Sequence, residues 1–130
     1  MFLDFDKTLV STKNGQSPFD VGKKKTGMHS IDRDLLNAVM GHKKVHIVTR
    51  NSFQDHILKF LELHNLSHLQ VHSIRHLPEI QHKSQVMEPF ITQHDSAVFC
   101  DDSFQEILEP NLRELVKRTN LTCVLFARGY

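Results

Sequence analysis

Two aspartates one residue apart follow a short apolar run at the start of the chain, in the segment LDFDKTLV at positions 3–10. An apolar strand that ends in such a segment delivers carboxylates to the carboxyl edge of a sheet, where open α/β folds bind their ligands. Carboxylates this close repel each other unless a cation or a proton lies between them. Asp4 could therefore attack an electrophile or bind a metal ion, and Asp6 could exchange a proton with a leaving group. An acidic turn after an edge strand is the purely structural alternative.

Other polar side chains stand where further strands should end or helices should begin. They are Thr49 after the β-rich residues 45–48, Lys83 at the start of a helical segment, and Asp101 and Asp102 after the apolar residues 97–100. Because the carboxyl ends of parallel strands meet at one edge of a sheet, we expect these groups to converge on the two N-terminal aspartates. Several carboxylates with one lysine and one threonine hydroxyl are typical of a magnesium-assisted phosphoryl site, in which oxygen ligands hold Mg²⁺ and the other two groups bind phosphoryl oxygens.

The apolar periodicity predicts that strands and helices alternate along the chain. Helical spacing after Ser30 predicts a capped helix that ends at Gly41, and Ser52 with Asp55 predicts a capping box for a second helix. A long helix should follow the last aspartate pair and be interrupted at Pro110. The predicted strands are a brief one before Asp4 and residues 45–48, 69–74, 97–100 and 123–127. This alternation predicts an α/β fold, a three-layer sandwich with a central parallel, Rossmann-like sheet.

Composition narrows the class of protein. The chain has 130 residues, 39% of them hydrophobic, which suits a single domain over residues 1–130 with a modest core. The formal net charge of +1 gives no general attraction to nucleic acid or to a membrane surface, and no apolar run is long enough to span a bilayer. Cys100 and Cys123 lie in apolar, strand-like segments, so we expect buried free thiols in a reducing compartment and a cytoplasmic protein.

The polar residues named above resemble, in the same order, the four motifs of the haloacid dehalogenase (HAD) superfamily of phosphohydrolases. The first motif is DFDKTLV at positions 4–10, the second is Thr49 after its apolar strand, the third is Lys83 and the fourth is the pair Asp101-Asp102. The likeness extends over residues 1 to about 103. Lys7 stands where glycine is the commonest residue of the first motif, although some members carry lysine there.

The resemblance implies a role for each of these residues. Asp4 would be the nucleophile that forms an aspartyl phosphate, and Asp6 would protonate the leaving oxygen and later activate water. Thr49 would bind phosphoryl oxygens, and Lys83 would offset the charge on the nucleophile and the phosphate. The implied Mg²⁺ ligands are Asp4, the backbone carbonyl of Asp6, Asp101 and, directly or as an outer-shell group, Asp102.

The length of the loops predicts a protein without a large cap domain. HAD superfamily members differ mainly in a cap inserted after the first or the third strand. Here the first interval is a loop of residues 11–30 and the second covers only residues 74–82. The chain therefore resembles the capless members, whose open sites accept large substrates or are closed by a partner subunit.

A second likeness concerns the substrate. The segment GQSPFD at positions 15–20, together with Cys123 and the final residues 129–130, is similar to the phosphatase half of phage-type polynucleotide kinases, which remove 3′ phosphates. The lysines at positions 23–25 would attract such a substrate, or they form a solvated charge run. The expected partner is thus a phosphorylated small molecule or a nucleic-acid 3′ end, and the sequence does not indicate an oligomeric state.

Two other functional classes are compatible with parts of this pattern. A response-regulator receiver also uses an acidic pair, a phosphorylated Asp, a Thr and a Lys, but its order along the chain differs from the order found here. A catalytically silent HAD-like binding module is the main alternative, although such modules often lack the nucleophile or the acid, and both Asp4 and Asp6 are present. Arg50, next to Thr49, could bind substrate phosphate or pair with a surface carboxylate.

Overall fold

The computed structural model describes residues 1–12, 15–19, 29–42, 44–92 and 96–126. Its regular elements, in chain order, are β1 (Phe2–Leu3), α1 (Arg33–Met40), β2 (His46–Thr49), α2 (Gln54–Leu63), β3 (Gln70–Ser73), α3 (Lys83–Met87), β4 (Ala97–Asp101), α4 (Phe104–Ile107), α5 (Pro110–Arg118) and β5 (Leu121–Leu125). Two 3-10 turns, Ile74–His76 and Glu88–Phe90, precede and follow α3. The lysines at positions 23–25 and the final residues 129–130 lie outside the described residues.

The five strands form one parallel sheet in the order β3-β2-β1-β4-β5. The chain builds the sheet outward from β1 to β3 and then crosses to the other side, where β4 and β5 follow. Strand order therefore reverses at β1 and β4, and open α/β sheets bind ligands at the carboxyl ends of the strands beside such a reversal. The predicted α/β fold with a Rossmann-like parallel sheet is confirmed.

The apolar side chains of the central strands point alternately to the two sides of the sheet, so both faces are apolar and helices cover each of them. One buried cluster contains Leu3, Ile47 and Cys100 with Val39 of α1 and Phe60 of α2, and the other contains Phe2, Val48 and Phe99 with Met87 of α3 and Leu115 of α5. The result is the predicted three-layer sandwich, with the sheet between two apolar layers.

The first strand has only two residues, yet it lies in the middle of the sheet. Phe2 and Leu3 pair with β2 on one side and with β4 on the other, and both side chains are buried. The N–H of Asp4 continues the ladder by donating to the carbonyl of Cys100 over 2.9 Å. The backbone before the two aspartates is therefore fixed from both sides despite the shortness of the strand.

The beginning of α1 differs from the prediction. Asp32, not Ser30, caps this helix, because its Oδ1 accepts a hydrogen bond from the N–H of Leu35 over 2.9 Å. Ser30 is instead joined to Ser11: its N–H donates to the Ser11 hydroxyl, and its carbonyl accepts from the Ser11 N–H. The predicted end of the helix at Gly41 is confirmed.

The predicted capping box of α2 is wrong. The helix begins at Gln54 after Phe53, and neither Ser52 nor Asp55 makes a cap bond that the structure describes. The N–H of Phe53 donates instead to Oδ1 of Asn51 over 2.8 Å. Asn51, two residues before Phe53, thus fixes the entry into this helix.

Two other predicted element boundaries lie in the C-terminal part of the chain. The expected interruption at Pro110 is confirmed, because α4 ends at Ile107 and Pro110 is the first residue of α5, where a missing N–H costs nothing. The last strand covers Leu121–Leu125 rather than the predicted residues 123–127, since its pairing with β4 begins at Ala97 opposite Leu121.

The two intervals where a cap domain could be inserted differ in how much the structure describes. Residues 74–82 contain one 3-10 turn and connect β3 directly to α3, whereas part of the first loop lies outside the described residues.

The two cysteines are free thiols, and only one of them is buried. Cys100 is buried as predicted, whereas the prediction for Cys123 is wrong, because it is partly exposed in the edge strand β5. In the described part of the chain, no helix has the length and apolar character needed to cross a membrane.

Lys7 adopts a left-handed backbone conformation with φ of 56°, and its N–H donates to the carbonyl of Thr12 over 3.0 Å. Side chains disfavour this conformation, whereas glycine adopts it freely. We therefore expect Lys7→Gly to raise the free energy of unfolding by about 0.5–1 kcal/mol, measured by chemical denaturation. Lys7→Ala, which keeps the backbone strain, is the control and should show no gain; a Gly variant less stable than the Ala variant contradicts the prediction.

Candidate functional site

The side chain of Lys83 lies buried between two of the predicted carboxylates. Its Nζ is 2.9 Å from Oδ1 of Asp4 and 2.8 Å from Oδ2 of Asp101, and it lies 5.8 Å from the centre of the Phe99 ring. Lys83 is the first residue of α3, and Gln85 fixes this helix start by accepting the N–H of His82 over 2.9 Å. The ammonium group therefore joins the carboxyl ends of β1 and β4.

A third carboxylate completes a cluster on the same side. Single carboxylate oxygens of Asp4, Asp101 and Asp102 all lie within 4.8 Å of one another. The fully buried Thr8 hydroxyl is 3.2 Å from Oδ2 of Asp4 and 3.4 Å from Oδ1 of Asp102. The cluster contains three carboxylates and one ammonium group, which contacts two of them, so it retains excess negative charge that a divalent cation would offset. Carboxylate oxygens are also the ligands that Mg²⁺ prefers.

Burial and mutual repulsion act on the protonation of these carboxyl groups. Burial, reinforced by Asp102, raises the pKa of Asp4 to about 6, although Lys83 opposes the shift. Burial and the neighbouring Asp4 likewise raise the pKa of Asp101 to about 6, against the effect of Lys83 and the Ser103 N–H. Burial tends to lower the pKa of Lys83, but the two carboxylates outweigh it and raise that pKa above its usual value. The ammonium group is thus firmly charged.

The raised pKa values of Asp4 and Asp101 predict that the stability of the metal-free protein falls as the pH rises, whereas the affinity for a metal ion increases. Without metal, the stability these groups contribute is complete below their ordinary pKa of 3.8 and is lost as the pH rises through about 6. A metal ion binds the ionised forms, so Mg²⁺ affinity should rise over the same interval. We expect titration calorimetry to show binding about 10- to 100-fold weaker at pH 5 than at pH 7.5. Equal affinity at the two pH values contradicts this prediction.

Asp6 lies in a different environment from Asp4, although it is only two residues further along the chain. Its carboxylate accepts hydrogen bonds from the Thr12 hydroxyl (2.8 Å), the Gly15 N–H (3.0 Å) and the side-chain amide of Asn51 (3.1 and 3.3 Å). Gly15 has φ of +79°, a conformation that side chains rarely adopt, so the loop can turn its N–H toward the carboxylate. Neutral donors hold Asp6, whereas a cation and other carboxylates surround Asp4.

Asn51 links Asp6 to the rest of the framework. It is 1% exposed, and its amide also donates to the carbonyl of Gln16 over 2.6 Å. Its backbone N–H donates to the hydroxyl of Thr49 over 3.0 Å, and its carbonyl accepts the hydroxyl of Ser73 over 2.7 Å. Asn51 therefore binds the ends of β2 and β3 through its backbone and the loop that follows β1 through its side chain.

All seven predicted site residues line one cavity of about 250 Å³ at the carboxyl edge of the sheet. They are Asp4, Asp6, Thr49, Arg50, Lys83, Asp101 and Asp102. Thr49, the last residue of β2, is fully buried. Arg50 is bound to the carboxylate of Glu106 and donates to the carbonyl of Gln81 over 3.1 Å, so its charge is already paired. The predicted convergence is confirmed, whereas the chemical roles of these residues stay predictions.

Several residues of the site are not among those predicted from the sequence. Thr8, Thr12, Gly15 and Asn51 bind the two aspartates, and Arg75 and Glu106 line the cavity. Thr8 and Asn51 each belong to polar segments at strand ends, which is a signal that could have identified them. Arg75 and Glu106 come from elements whose spacing shows no such signal.

Comparison with known proteins adds no relative to this description. Neither protein-family models, nor curated proteins, nor solved structures give a match to the chain.

Proposed function

We propose that this chain is a magnesium-dependent phosphatase of the HAD type, which hydrolyses a phosphate monoester through an aspartyl phosphate. The observation that carries the proposal is the contrast between two aspartates one residue apart. Asp4 faces the ammonium of Lys83 and two further carboxylates, while Asp6 is held by neutral donors. Two neighbouring carboxylates in such different environments suit different chemical tasks.

In the first step, an oxygen of Asp4 attacks phosphorus and the bond from phosphorus to the leaving oxygen breaks. Asp6 acts as the general acid and gives a proton to that oxygen, so the product leaves as an alcohol. Lys83 and the hydroxyl of Thr49 stabilise negative charge on the oxygens of the transferred group. The neutral donors around Asp6 fix the position of its carboxyl group in the wall of the cavity.

In the second step, water attacks the phosphorus of the aspartyl phosphate. Asp6, now ionised, accepts a proton from the water, the bond between Asp4 and phosphorus breaks, and inorganic phosphate is released. The proton that Asp6 gave to the leaving oxygen is thereby replaced, and Asp4 is again a free carboxylate. Both steps use the same pair of residues in the same positions.

The carboxylates of Asp4, Asp101 and Asp102, with the backbone carbonyl of Asp6, are the groups that would hold Mg²⁺. The donor set fits this ion, because it consists of oxygen ligands with excess negative charge. When bound, Mg²⁺ would neutralise charge so that an anionic phosphate can approach an anionic nucleophile. The substrate we propose is a phosphorylated small molecule or a nucleic-acid 3′ end.

The direct test is the hydrolysis of 4-nitrophenyl phosphate by the purified chain with Mg²⁺, with EDTA, and with Mg²⁺ restored. We expect turnover only when the metal is present. Absence of turnover over a broad panel of phosphate esters, while calorimetry still detects Mg²⁺ binding, would contradict the proposal and favour a HAD-like binding module.

Asn51→Ala should impair the proton transfer by Asp6 specifically, because Asn51 donates to both carboxylate oxygens of Asp6. A poor leaving group such as an alkyl alcohol needs this proton, whereas 4-nitrophenolate leaves without much help. We expect kcat/KM, which reports the first step alone, to fall about 100-fold for an alkyl phosphate and less than about 10-fold for 4-nitrophenyl phosphate.

The ratio of the two rates is independent of how much of the variant is folded. Asn37→Ala, at an exposed position of α1, is the matched control and should keep the wild-type ratio. Equal losses with both esters would show that Asn51 supports the fold rather than the position of Asp6.

A further inference from the structure

A second cavity adjoins the cavity that contains the carboxylates. It has a volume of about 420 Å³, and Arg50 and Arg75 line both cavities. The other lining residues of this second cavity, which we call the Arg75 cleft, are Ile74, Leu77, Pro78 and Ile80. A ligand whose phosphate lies at Asp4 could therefore extend past the two arginines along an apolar wall.

The two arginines differ in how their charge is used. Arg50 is paired with Glu106, whose side chain is largely buried. Arg75 is exposed, and its Nε donates to the carbonyl of Arg50 over 2.8 Å, which anchors the side chain at the boundary of the two cavities. In the part of the chain that the structure describes, no carboxylate forms an ion pair with Arg75.

The position of Arg75 separates it from the groups proposed to bind the transferred phosphate. Lys83 and Thr49 are buried at the inner end of the first cavity, 4% and 0% exposed, whereas Arg75 lies at its outer rim. A guanidinium group is suited to bidentate binding of phosphate oxygens. An exposed guanidinium group that lines both cavities could meet a second anion, one that belongs to the leaving group.

We propose that Arg75 binds a second phosphate of the substrate, carried by the leaving group, whose organic part lies against Ile74, Leu77 and Pro78. This inference rests on the proposed phosphatase function and specifies its substrate. The shared chemistry is an organic phosphate monoester with a further phosphate nearby. Such a group can come from a free bisphosphate or from the next phosphodiester of a nucleic-acid strand.

The test compares three substrates with the same scissile group in the presence of Mg²⁺. They are a nucleoside 3′-monophosphate, the corresponding 3′,5′-bisphosphate, and a dinucleotide with a 3′-terminal phosphate. We expect kcat/KM to be about 10-fold higher for the two substrates with a second phosphate, mainly through KM. A preference for the bisphosphate over the dinucleotide indicates a small-molecule source, and the reverse indicates a nucleic-acid end.

Arg75→Gln should reduce this preference from about 10-fold to about 1-fold. Arg118→Gln, the same change in α5 at a residue paired with Glu88, should leave the preference at its wild-type value. Two outcomes overturn the inference: a wild type without preference, or an Arg75 variant that loses the same factor with all three substrates. The second outcome would place Arg75 on the transferred phosphate.

The inference can also be tested if the proposed function fails. If the wild type hydrolyses none of the three substrates, titration calorimetry of the Mg²⁺-loaded protein with the bisphosphate measures binding directly. Binding about 10-fold weaker in Arg75→Gln than in Arg118→Gln supports the second-phosphate site in a binding module. Equal binding by the two variants, or no binding by the wild type, overturns it.

Discussion

Asp4→Asn is expected to lower magnesium-dependent phosphatase turnover by at least about 1000-fold. The amide has the shape of the carboxylate but is a poor nucleophile, so no aspartyl phosphate can form at a useful rate. Asp4 is also one of the three clustered carboxylates, and its loss should weaken Mg²⁺ binding. Steady-state kinetics at saturating Mg²⁺ separates the loss of the nucleophile from the loss of affinity.

The Asp4→Asn variant should fold, because the change removes a buried carboxylate whose pKa is raised to about 6 and which is therefore costly to ionise at neutral pH. We expect its unfolding midpoint at pH 7.5 to be no lower than that of the wild type. Asp55→Asn, an exposed position in the first turn of α2, is the control and should retain full activity. Retention of more than about a tenth of the turnover in Asp4→Asn would rule out Asp4 as the nucleophile.

Lys83→Met should have the largest effect on stability. Lys83 is the cation between Asp4 and Asp101, so its removal leaves buried carboxylates without their ion-pair partner. Loss of one partner of a buried ion pair typically costs about 3–5 kcal/mol. We expect a reduction of this size in the free energy of unfolding, measured at pH 7.5 without metal. Turnover, measured with Mg²⁺, should be about 100- to 1000-fold lower.

The pH dependence identifies the cause of this destabilisation. Without Lys83, the pKa values of both carboxyl groups should rise further, so the loss of stability should increase with pH and should be small near pH 4. Mg²⁺ should restore stability at pH 7.5 but not turnover. Lys59→Met, an exposed position of α2, is the control. A pH-independent loss in Lys83→Met would show that lost packing against Phe99, rather than carboxylate charge, is responsible.

The convergence of the site could be predicted from the sequence because it depends on a single rule. Apolar strands that end in Asp4, Thr49 and Asp101 place these residues at one edge once the strands are parallel. Lys83 could be added because it begins a helix at that edge. Neither inference needs a distance between side chains.

The boundaries that were wrong depend on contacts between distant residues. Ser30 was a plausible cap for α1, but its backbone is bound to Ser11, so Asp32 takes that position. Asn51 replaces the expected capping box of α2 because Asp6 and Gln16 already fix its side chain beside the helix entry. Local spacing contains no information on such partners.

The predicted limits of β5, residues 123–127, are wrong for a different reason. It is an edge strand, and its residues Val124 and Leu125 are partly exposed, so the apolar run does not coincide with the paired residues. Pairing with β4 sets the limits instead, from Leu121 to Leu125. The partners of Asp6 were missed because Thr12, Gly15 and Asn51 meet only after the loop and two strands have come together.

The position of β1 has a consequence for folding. Every strand contact of Phe2 and Leu3 is made with residues more than forty positions away, in β2 and β4. Contacts at such sequence separation form slowly, because a long loop must close before they contribute. During synthesis, β1 is made before β2 and β4, and it cannot complete its pairing until β4 has left the ribosome. The proposed nucleophile should therefore be among the last groups to reach its native position, and an incomplete chain should expose an unpaired apolar strand.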